Sequence, residues 1–458
     1  METIIIIVFV VGYLAITLEH NLKIDKLIPA LAMMAILWAI IALSHLPVFE
    51  VNTDLKELEP HNLDGILLHH LGKTAEILVF LLGAMTIVEI IDYFDGFATI
   101  KGFIRTKSKR KLLWMFSILA FILSAIIDNL TATIVLITIL QKVVKEREVR
   151  LWFAGMIIIA ANAGGAWSPI GDVTTTMLWI GNKVSAAQLI EHVFIPSIVC
   201  MVVPVLFASR YKAFKGNIEI DPNEEVEQPK TKYGATMLYL GLGSIVFVPV
   251  FKTITHLPPY VGMMLSLAVV ATLAEIYTSR KFSISDAIDV EGVSESAGHH
   301  SAVHSSLSKI ELPSILFFLG ILMAVAAMES LGMLFHFAEM LDQTMPMLGT
   351  ESLGEHVSDL VVLILGIGSA VIDNVPLVAA SMGMFSVPID DPVWHFIAYS
   401  AGTGGSMLII GSAAGVVAMG MEKIDFFWYF KKITWLAFLG FIAGSATFII
   451  IRNFVLNA

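Results

Sequence analysis

Two near-copies of one short segment carry the residues best suited to chemistry. Residues 124–131 read SAIIDNLT and residues 369–376 read SAVIDNVP, so each copy sets an Asp-Asn pair inside an apolar stretch. An aspartate in a membrane interior costs about 3 kcal/mol or more unless it is paired or hydrated, so its presence there needs a reason. One reason is structural, because Asp and Asn are good caps for a helix that begins there. The same acid in both copies favours a second reason, a functional site.

A Gly-rich segment follows each copy, NAGGAWSPIGD over 162–172 and GTGGSMLIIGS over 402–412. Glycine lets backbones approach closely, and Pro169 removes a hydrogen-bond donor from the first segment. Both segments are expected to unwind a helix. Plain close packing of helices is the alternative use of such glycines. Unwound backbone leaves carbonyl and side-chain oxygens available, and hard cations want a shell of oxygens.

The sequence thus predicts an ion-binding site built from four segments. They are the two Asp-Asn segments, called here the first tip (124–131) and the second tip (369–376), and the two Gly-rich segments, called the first break (162–172) and the second break (402–412). The candidate ligands are Ser124, Asp128, Asn129, Thr131, Asn162, Ser168, Asp172, Thr175, Ser369, Asp373, Asn374, Thr403, Ser406 and Ser412. Among them, the two Asp-Asn pairs (Asp128, Asn129, Asp373 and Asn374) are the expected Na⁺ ligands. The two halves are not equivalent, because Pro376 stands where the first copy has Thr131 and Ser412 stands where the first half has Asp172.

The composition indicates a polytopic membrane protein. The chain has 458 residues, of which 57% are hydrophobic and only 15% are charged, against roughly 25% charged residues in a soluble domain. A single cysteine, Cys200, allows no intrachain disulfide. The net charge of −11 argues against nucleic acid as a partner. The first apolar run follows no basic segment, so it reads as a span and not as a signal peptide.

Ten apolar runs have the length or composition of membrane spans. They are 3–18, 27–46, 76–94, 151–181, 192–209, 233–251, 258–279, 311–329, 393–422 and 433–451. Two further runs, 112–141 and 357–389, are each divided at an Asp-Asn pair into halves that are short for a full crossing. These two runs are expected to be re-entrant hairpins, which are tolerated only where protein or water covers the tip.

Charge placement orients these spans. With the N-terminus outside and each hairpin returning to its own side, the inside loops hold 23 of the 28 Lys and Arg residues, a strong positive-inside bias. Basic residues flank the first hairpin and acidic residues flank the second. One hairpin is therefore expected to enter from the cytoplasm and the other from outside.

The halves correspond in order: three spans, a hairpin, a broken span and a final span. An odd number of crossings separates corresponding elements, so the repeats are expected to be inverted. The predicted fold is an all-α polytopic membrane protein with two inverted repeats, about ten spans and two hairpins. The first repeat is 1–209, a cytoplasmic linker is 210–232, and the second repeat is 233–458 with a cytoplasmic loop at 280–310.

The chain resembles the NhaD-type sodium/proton antiporters of the ion transporter superfamily. The most specific segments are the two Asp-Asn tips and the motif over 162–175, and the resemblance covers nearly the whole chain. Dicarboxylate and citrate carriers of the superfamily have serine-asparagine-threonine tips without an acid, whereas aspartate suits a cation better. The resemblance also implies a homodimer, with a scaffold and a transport unit that carries the hairpins in an elevator motion.

The expected function is exchange of Na⁺ or Li⁺ for H⁺ by alternating access, which would serve pH homeostasis and sodium tolerance. A buried carboxylate can hold either a proton or a metal cation, but not both strongly. The alternatives are a sodium-coupled carrier of a small anion such as a dicarboxylate, an arsenite-type exporter on the same fold, and a channel or regulatory membrane protein. No enzyme activity and no cofactor are expected beyond the transported ions. The membrane lipid is a partner, and the expected location is a bacterial inner membrane.

Overall fold

The computed structural model describes residues 1–17, 22–52, 57–101, 106–218, 233–285, 301–334, 336–337, 340, 357–371 and 374–456. Two compact units divide the chain. Unit 1 is Met1–Leu78, Ser108–Ile218 and Pro313–Ala458, and unit 2 is Val79–Lys107 and Glu219–Leu312. Unit 1 therefore takes segments from both predicted repeats. Asp373, residues 219–232 of the predicted linker and residues 286–300 of the predicted cytoplasmic loop lie outside the described residues.

The first half of the chain forms helices with one strand pair among them. Its elements are α1 Glu2–Thr17, α2 Leu27–Leu43, β1 Val48–Asn52, β2 Glu57–His61, α3 Leu63–Tyr93, α4 Ala98–Lys101, α5 Lys109–Ile127, α6 Asn129–Val143, α7 Arg147–Gly165, α8 Val173–Ile180 and α9 Ala186–Ala208. A short 3₁₀ turn, Lys212–Phe214, follows α9.

The second half is helical throughout its described part. Its elements are α10 Gly234–Thr255, α11 Pro259–Ser285, α12 Ala302–Leu307, α13 Leu312–Ser330, α14 Asp359–Gly368, α15 Asn374–Met384, α16 Pro392–Gly404, α17 Ala413–Glu422, α18 Phe426–Lys432 and α19 Thr434–Ile451. A π-helical segment, Arg452–Leu456, continues α19.

Seven helices among the described residues are long and apolar enough to cross a membrane, and six shorter apolar helices accompany them. The two Gly-rich segments interrupt helices, because α7 ends at Gly165 and α16 ends at Gly404, one turn or more before α8 and α17 begin. Helical structure is also interrupted at Asp128, between α5 and α6.

Three features differ from the sequence prediction. The fold is not all-α, because β1 and β2 pair as an antiparallel hairpin. In addition, α3 begins at Leu63, well before the apolar run at 76, and α5 begins at Lys109, before the apolar run at 112. Polar residues such as His69 and Lys73 end the apolar run in the sequence, but they do not break the helix.

Each unit has its own packing. In unit 1, α5 packs on α7, α14 packs on α16, and α9 packs on α19. A buried ion pair joins the start of α14 to the end of the chain, with Arg452 Nη1 2.7 Å from Asp359 Oδ1 and Arg452 Nη2 2.6 Å from Asp359 Oδ2. In unit 2, α10 packs on α11, where the Ser266 hydroxyl donates to the Ser244 carbonyl at 2.7 Å.

Candidate site at the tips and breaks

The first tip is a strained helix junction at Asp128. This residue has φ 76° and ψ 159°. Residues with a side chain rarely adopt this backbone conformation, which persists only where the surrounding structure imposes it. Its carboxylate caps α6, accepting from the Thr131 amide at 2.8 Å and from the Thr131 hydroxyl at 2.9 Å. The side chain is half-buried. Asp128 is thus both the helix cap expected from the sequence and a source of oxygen atoms at the first tip.

A chain of side-chain hydrogen bonds leads from this tip to the second break. The Asn129 amide donates to Asn162 Oδ1 at 3.0 Å, and the Asn162 amide donates to Ser412 Oγ at 3.0 Å. All three side chains are buried. Ser412 also caps α17 by accepting from the Gly415 amide at 3.2 Å. Predicted ligands from the two halves of the sequence therefore meet in one network.

The second tip contacts the first break. The Asn374 amide, at the first residue of α15, donates to Asp172 Oδ2 at 2.9 Å. The hydroxyl of Thr174 donates to the same oxygen at 2.9 Å. Asp172 is only 3% exposed. Hydrogen bonds donated to the carboxylate oxygen, such as these two, stabilise a buried and charged carboxylate. The neighbouring Asp373 lies outside the described residues.

Asp172 and Ser412 each precede the helix that follows a break, and they use their side chains differently. Both are N-caps with nearly the same backbone, φ −147° and ψ 148° for Asp172, φ −147° and ψ 153° for Ser412. Ser412 caps its own helix, whereas the Asp172 side chain makes no cap bond and faces the second tip instead. The acid of the first break is therefore directed toward the other half of the site.

The glycines of the two breaks permit close backbone contact. A Cβ added at Gly164 would collide with the carbonyl oxygen of Phe121 in α5, and one added at Gly404 would collide with the carbonyl oxygen of Gly366 in α14. Any side chain at either position would force the helices apart. The first break thus packs closely against α5 and the second break packs closely against α14, the helices that lead to the two tips.

Most of the predicted hydroxyl groups bond to the main chain. Donors to main-chain carbonyls are Ser124 to Ala161 at 2.6 Å, Ser369 to Ala401 at 2.7 Å, Thr175 to Ser168 at 2.7 Å, Thr403 to Tyr399 at 2.6 Å and Ser406 to Thr403 at 2.6 Å. Ser168 Oγ accepts from the Ile170 amide at 3.4 Å. A hydroxyl that donates to a carbonyl keeps lone pairs that can face a cation.

Two residues of the site escaped the sequence reasoning. Thr174 lies inside the recognised motif and supports Asp172, and an Asp-x-Thr spacing at a helix start was the available signal. Tyr429, in α18, donates its buried hydroxyl to the Ser406 carbonyl at 2.8 Å. No local pattern connects Tyr429 to the second break. All described site residues lie in unit 1.

The chain is similar to known transport proteins. The family model described as "Citrate transporter" matches residues 3–395. "Sodium/proton antiporter 1" of Arabidopsis thaliana is 41% identical over 451 residues, covering 98% of this chain and 72% of the relative. "Na(+)/H(+) antiporter NhaD" of Alkalimonas amylolytica is 30% identical over 457 residues, covering 96% of this chain and 89% of the relative.

A solved structure shares the fold. The YdaH transporter of Alcanivorax borkumensis superposes with a TM-score of 0.57 and 13% identity, covering 94% of this chain and 98% of that one. Helices suited to the membrane and these matches define a secondary transporter, which is a transport protein and not an enzyme. The chain belongs to the citrate transporter family and is of the NhaD type among the sodium/proton antiporters.

Proposed function

We propose that this protein exchanges Na⁺ or Li⁺ for H⁺ across the membrane by alternating access. The observation that carries the proposal is the contact of Asn374 with Asp172, because it brings a buried carboxylate against the second tip. Asp128 places another carboxylate at the first tip. Amide N–H and hydroxyl groups donate to both carboxylates.

Competition for the carboxylates couples the two ions. A carboxylate that binds Na⁺ must release its proton, and a protonated carboxylate has lost the charge that attracts Na⁺. The empty, negatively charged site is unfavourable in a membrane interior, so it resists crossing without a ligand. Exchange follows if the site changes the side to which it opens only when it holds an ion or a proton. Asp128, Asp172 and Asp373 are the acids of this mechanism.

The matching contacts of the two halves support an inverted-repeat arrangement. Asp172 and Ser412 share their backbone conformation, Gly164 and Gly404 make the same close approach, and Ser124 and Ser369 make the same hydrogen bond. Under this proposal α5–α6 and α14–α15 are the two re-entrant hairpins, entering from opposite sides. A homodimer in the plasma membrane, with the hairpins in a moving unit, completes the proposal.

The test is proton movement in proteoliposomes. NaCl, LiCl, KCl, succinate or citrate is added separately between pH 6 and 9, and internal pH is followed by a fluorescent dye. A pH-dependent proton movement with Na⁺ and Li⁺, absent with the anions, is the expected result. No response to Na⁺ or Li⁺ at any pH would refute cation/proton exchange.

A sodium-coupled carrier of a small anion is the second candidate, because the matching family model is described as "Citrate transporter". The helix starts at Val173 and Ala413 could face an anion with their amide groups. The Asp172 carboxylate argues against this candidate, since it would repel a carboxylate substrate. Sodium-dependent uptake of labelled succinate or citrate, without proton movement on adding Na⁺ alone, would favour the carrier.

A further inference from the structure

A polar cavity lies away from the candidate ion site, at one end of several helices of unit 1. It has a volume of about 370 Å³ and lies between the starts of α5 and α7 and the 3₁₀ turn after α9. Both α5 and α9 are long and apolar enough to cross a membrane. Their polar ends therefore mark the boundary between the hydrocarbon and water.

The walls of this cavity carry both signs of charge. Lys109 and Glu146 line it and pair with each other at 2.9 Å. Lys212 and Glu148 also line it, and neither of these side chains has an ion pair or hydrogen bond with any residue that the structure describes. One cation and one anion thus remain available to a ligand. A ligand that carries both charges would satisfy both side chains.

Aromatic rings form the remaining wall. Trp152 and Tyr211 line the cavity with ring centroids 5.3 Å apart and nearly perpendicular planes. Trp428 supports Trp152 from the other side, with centroids 5.6 Å apart. Burial raises the pKa of the Tyr211 phenol, so its hydroxyl keeps its proton and remains a donor. Aromatic faces beside a carboxylate are a favourable setting for an ammonium group.

An apolar surface continues from the cavity along the end of α9 and the start of α19. Leu206, Phe207 and Trp435 are 45%, 40% and 41% exposed. Trp435 lies 6.3 Å from Phe207 and 6.3 Å from Tyr211 between ring centroids. The hydrocarbon chains of a lipid seated in the cavity could therefore lie on this surface. A small soluble zwitterion has no such chains.

We propose that this cavity binds the zwitterionic headgroup of a membrane phospholipid, phosphatidylethanolamine in chemical class. The phosphate lies at Lys212, the ammonium lies at Glu148 and the aromatic wall, and the acyl chains run over Leu206 and Phe207. The lipid then bridges the 3₁₀ turn after α9 and the start of α7, which leads to the first break. This inference stands independently of the transported ion.

The test measures lipid binding to the delipidated, full-length protein in detergent by native mass spectrometry. The probes are dioctanoylphosphatidylethanolamine, dioctanoylphosphatidylglycerol and soluble glycerophosphoethanolamine. Lys212→Gln and Glu148→Gln are each expected to raise the Kd for the ethanolamine lipid about tenfold, as loss of one charged partner predicts. Lys142→Gln, an exposed lysine outside the cavity, serves as the control and should change the Kd less than about twofold.

Three results would overturn the proposal. An unchanged Kd in both cavity variants would show that the lipid binds elsewhere. Tighter binding of the glycerol lipid, improved further by Glu148→Gln, would show a site for anionic lipid. Equal affinity for glycerophosphoethanolamine would show that the chains contribute nothing and that the ligand is a soluble zwitterion. The substituted side chains lie at the surface, and unchanged melting temperatures would verify that each variant is folded.

Discussion

Replacing Asn374 by alanine tests the contact between the second tip and the first break. The substitution removes the amide that donates to Asp172 Oδ2 at 2.9 Å and leaves the Thr174 bond in place. Ser381→Ala is the matched control, since Ser381 lies buried in the same helix but donates only to the Leu377 carbonyl, at 2.9 Å. Both variants remove one buried polar group from α15.

The size of the effect follows from the charge on Asp172. A hydrogen bond to a charged group contributes about 1.5–3 kcal/mol, which corresponds to roughly 10- to 150-fold in an equilibrium constant. If this contact orients the carboxylate for Na⁺, the Na⁺ concentration that gives half-maximal proton movement should rise by that factor in Asn374→Ala. Ser381→Ala should change it less than about twofold, because its bond lies within one helix.

The assay is dye-monitored proton movement in proteoliposomes over a range of NaCl concentrations at fixed pH. Equal half-maximal Na⁺ concentrations for wild type and Asn374→Ala would refute the reasoning, provided that the variant is folded. A large effect in Ser381→Ala would refute it too, because the loss would then reflect general damage to α15. Melting temperatures of all three proteins separate these cases.

Two predictions concern stability, read as melting temperature in detergent. Gly404→Ala should destabilise the protein by about 1–3 kcal/mol because the new Cβ meets the Gly366 carbonyl, whereas Gly420→Ala, with no atom within 4 Å of the added Cβ, should not; equal melting temperatures would contradict this. Arg452→Met should destabilise by roughly 3–5 kcal/mol because it leaves the buried Asp359 without its partner. Adding Asp359→Leu should restore most of that loss, and a further fall in the double variant would contradict this account.

The interruptions of the helices were predictable from local chemistry. Asp-Asn inside an apolar stretch marks a helix start, and Asp128 indeed caps α6 through Thr131. The Gly-rich segments end α7 at Gly165 and α16 at Gly404. These features depend on residues close together in the sequence, so composition and spacing are sufficient to locate them.

Contacts between distant segments were not predictable in the same way. The bonds from Asn162 to Ser412 and from Asn374 to Asp172 each join residues more than 200 positions apart. Sequence reasoning named all four as candidates, but it gave no pairing, because pairing depends on how the helices pack. The β1–β2 hairpin was missed because Val48–Asn52 is a short strand beside charged residues, with no strong turn signal.

The length of α3 shows a limit of hydropathy. His69, Lys73 and Glu76 lower the apolar content of its first half, yet the helix runs unbroken from Leu63. Helix formation depends on backbone hydrogen bonds and the absence of breakers, whereas hydropathy reports only the surroundings of the side chains. The apolar run at 76–94 therefore indicated a span but not the bounds of the helix.

The central claim is that Na⁺ and H⁺ compete for the same carboxylates. The most direct measurement is proton release when NaCl is added to the purified protein in weakly buffered detergent solution, together with Na⁺ binding by calorimetry. The account predicts that Na⁺ binding releases protons in a pH-dependent manner, and that the Asp128→Asn/Asp373→Asn double variant loses both signals while remaining folded. Na⁺ binding without proton release, or full proton release in the double variant, would contradict it.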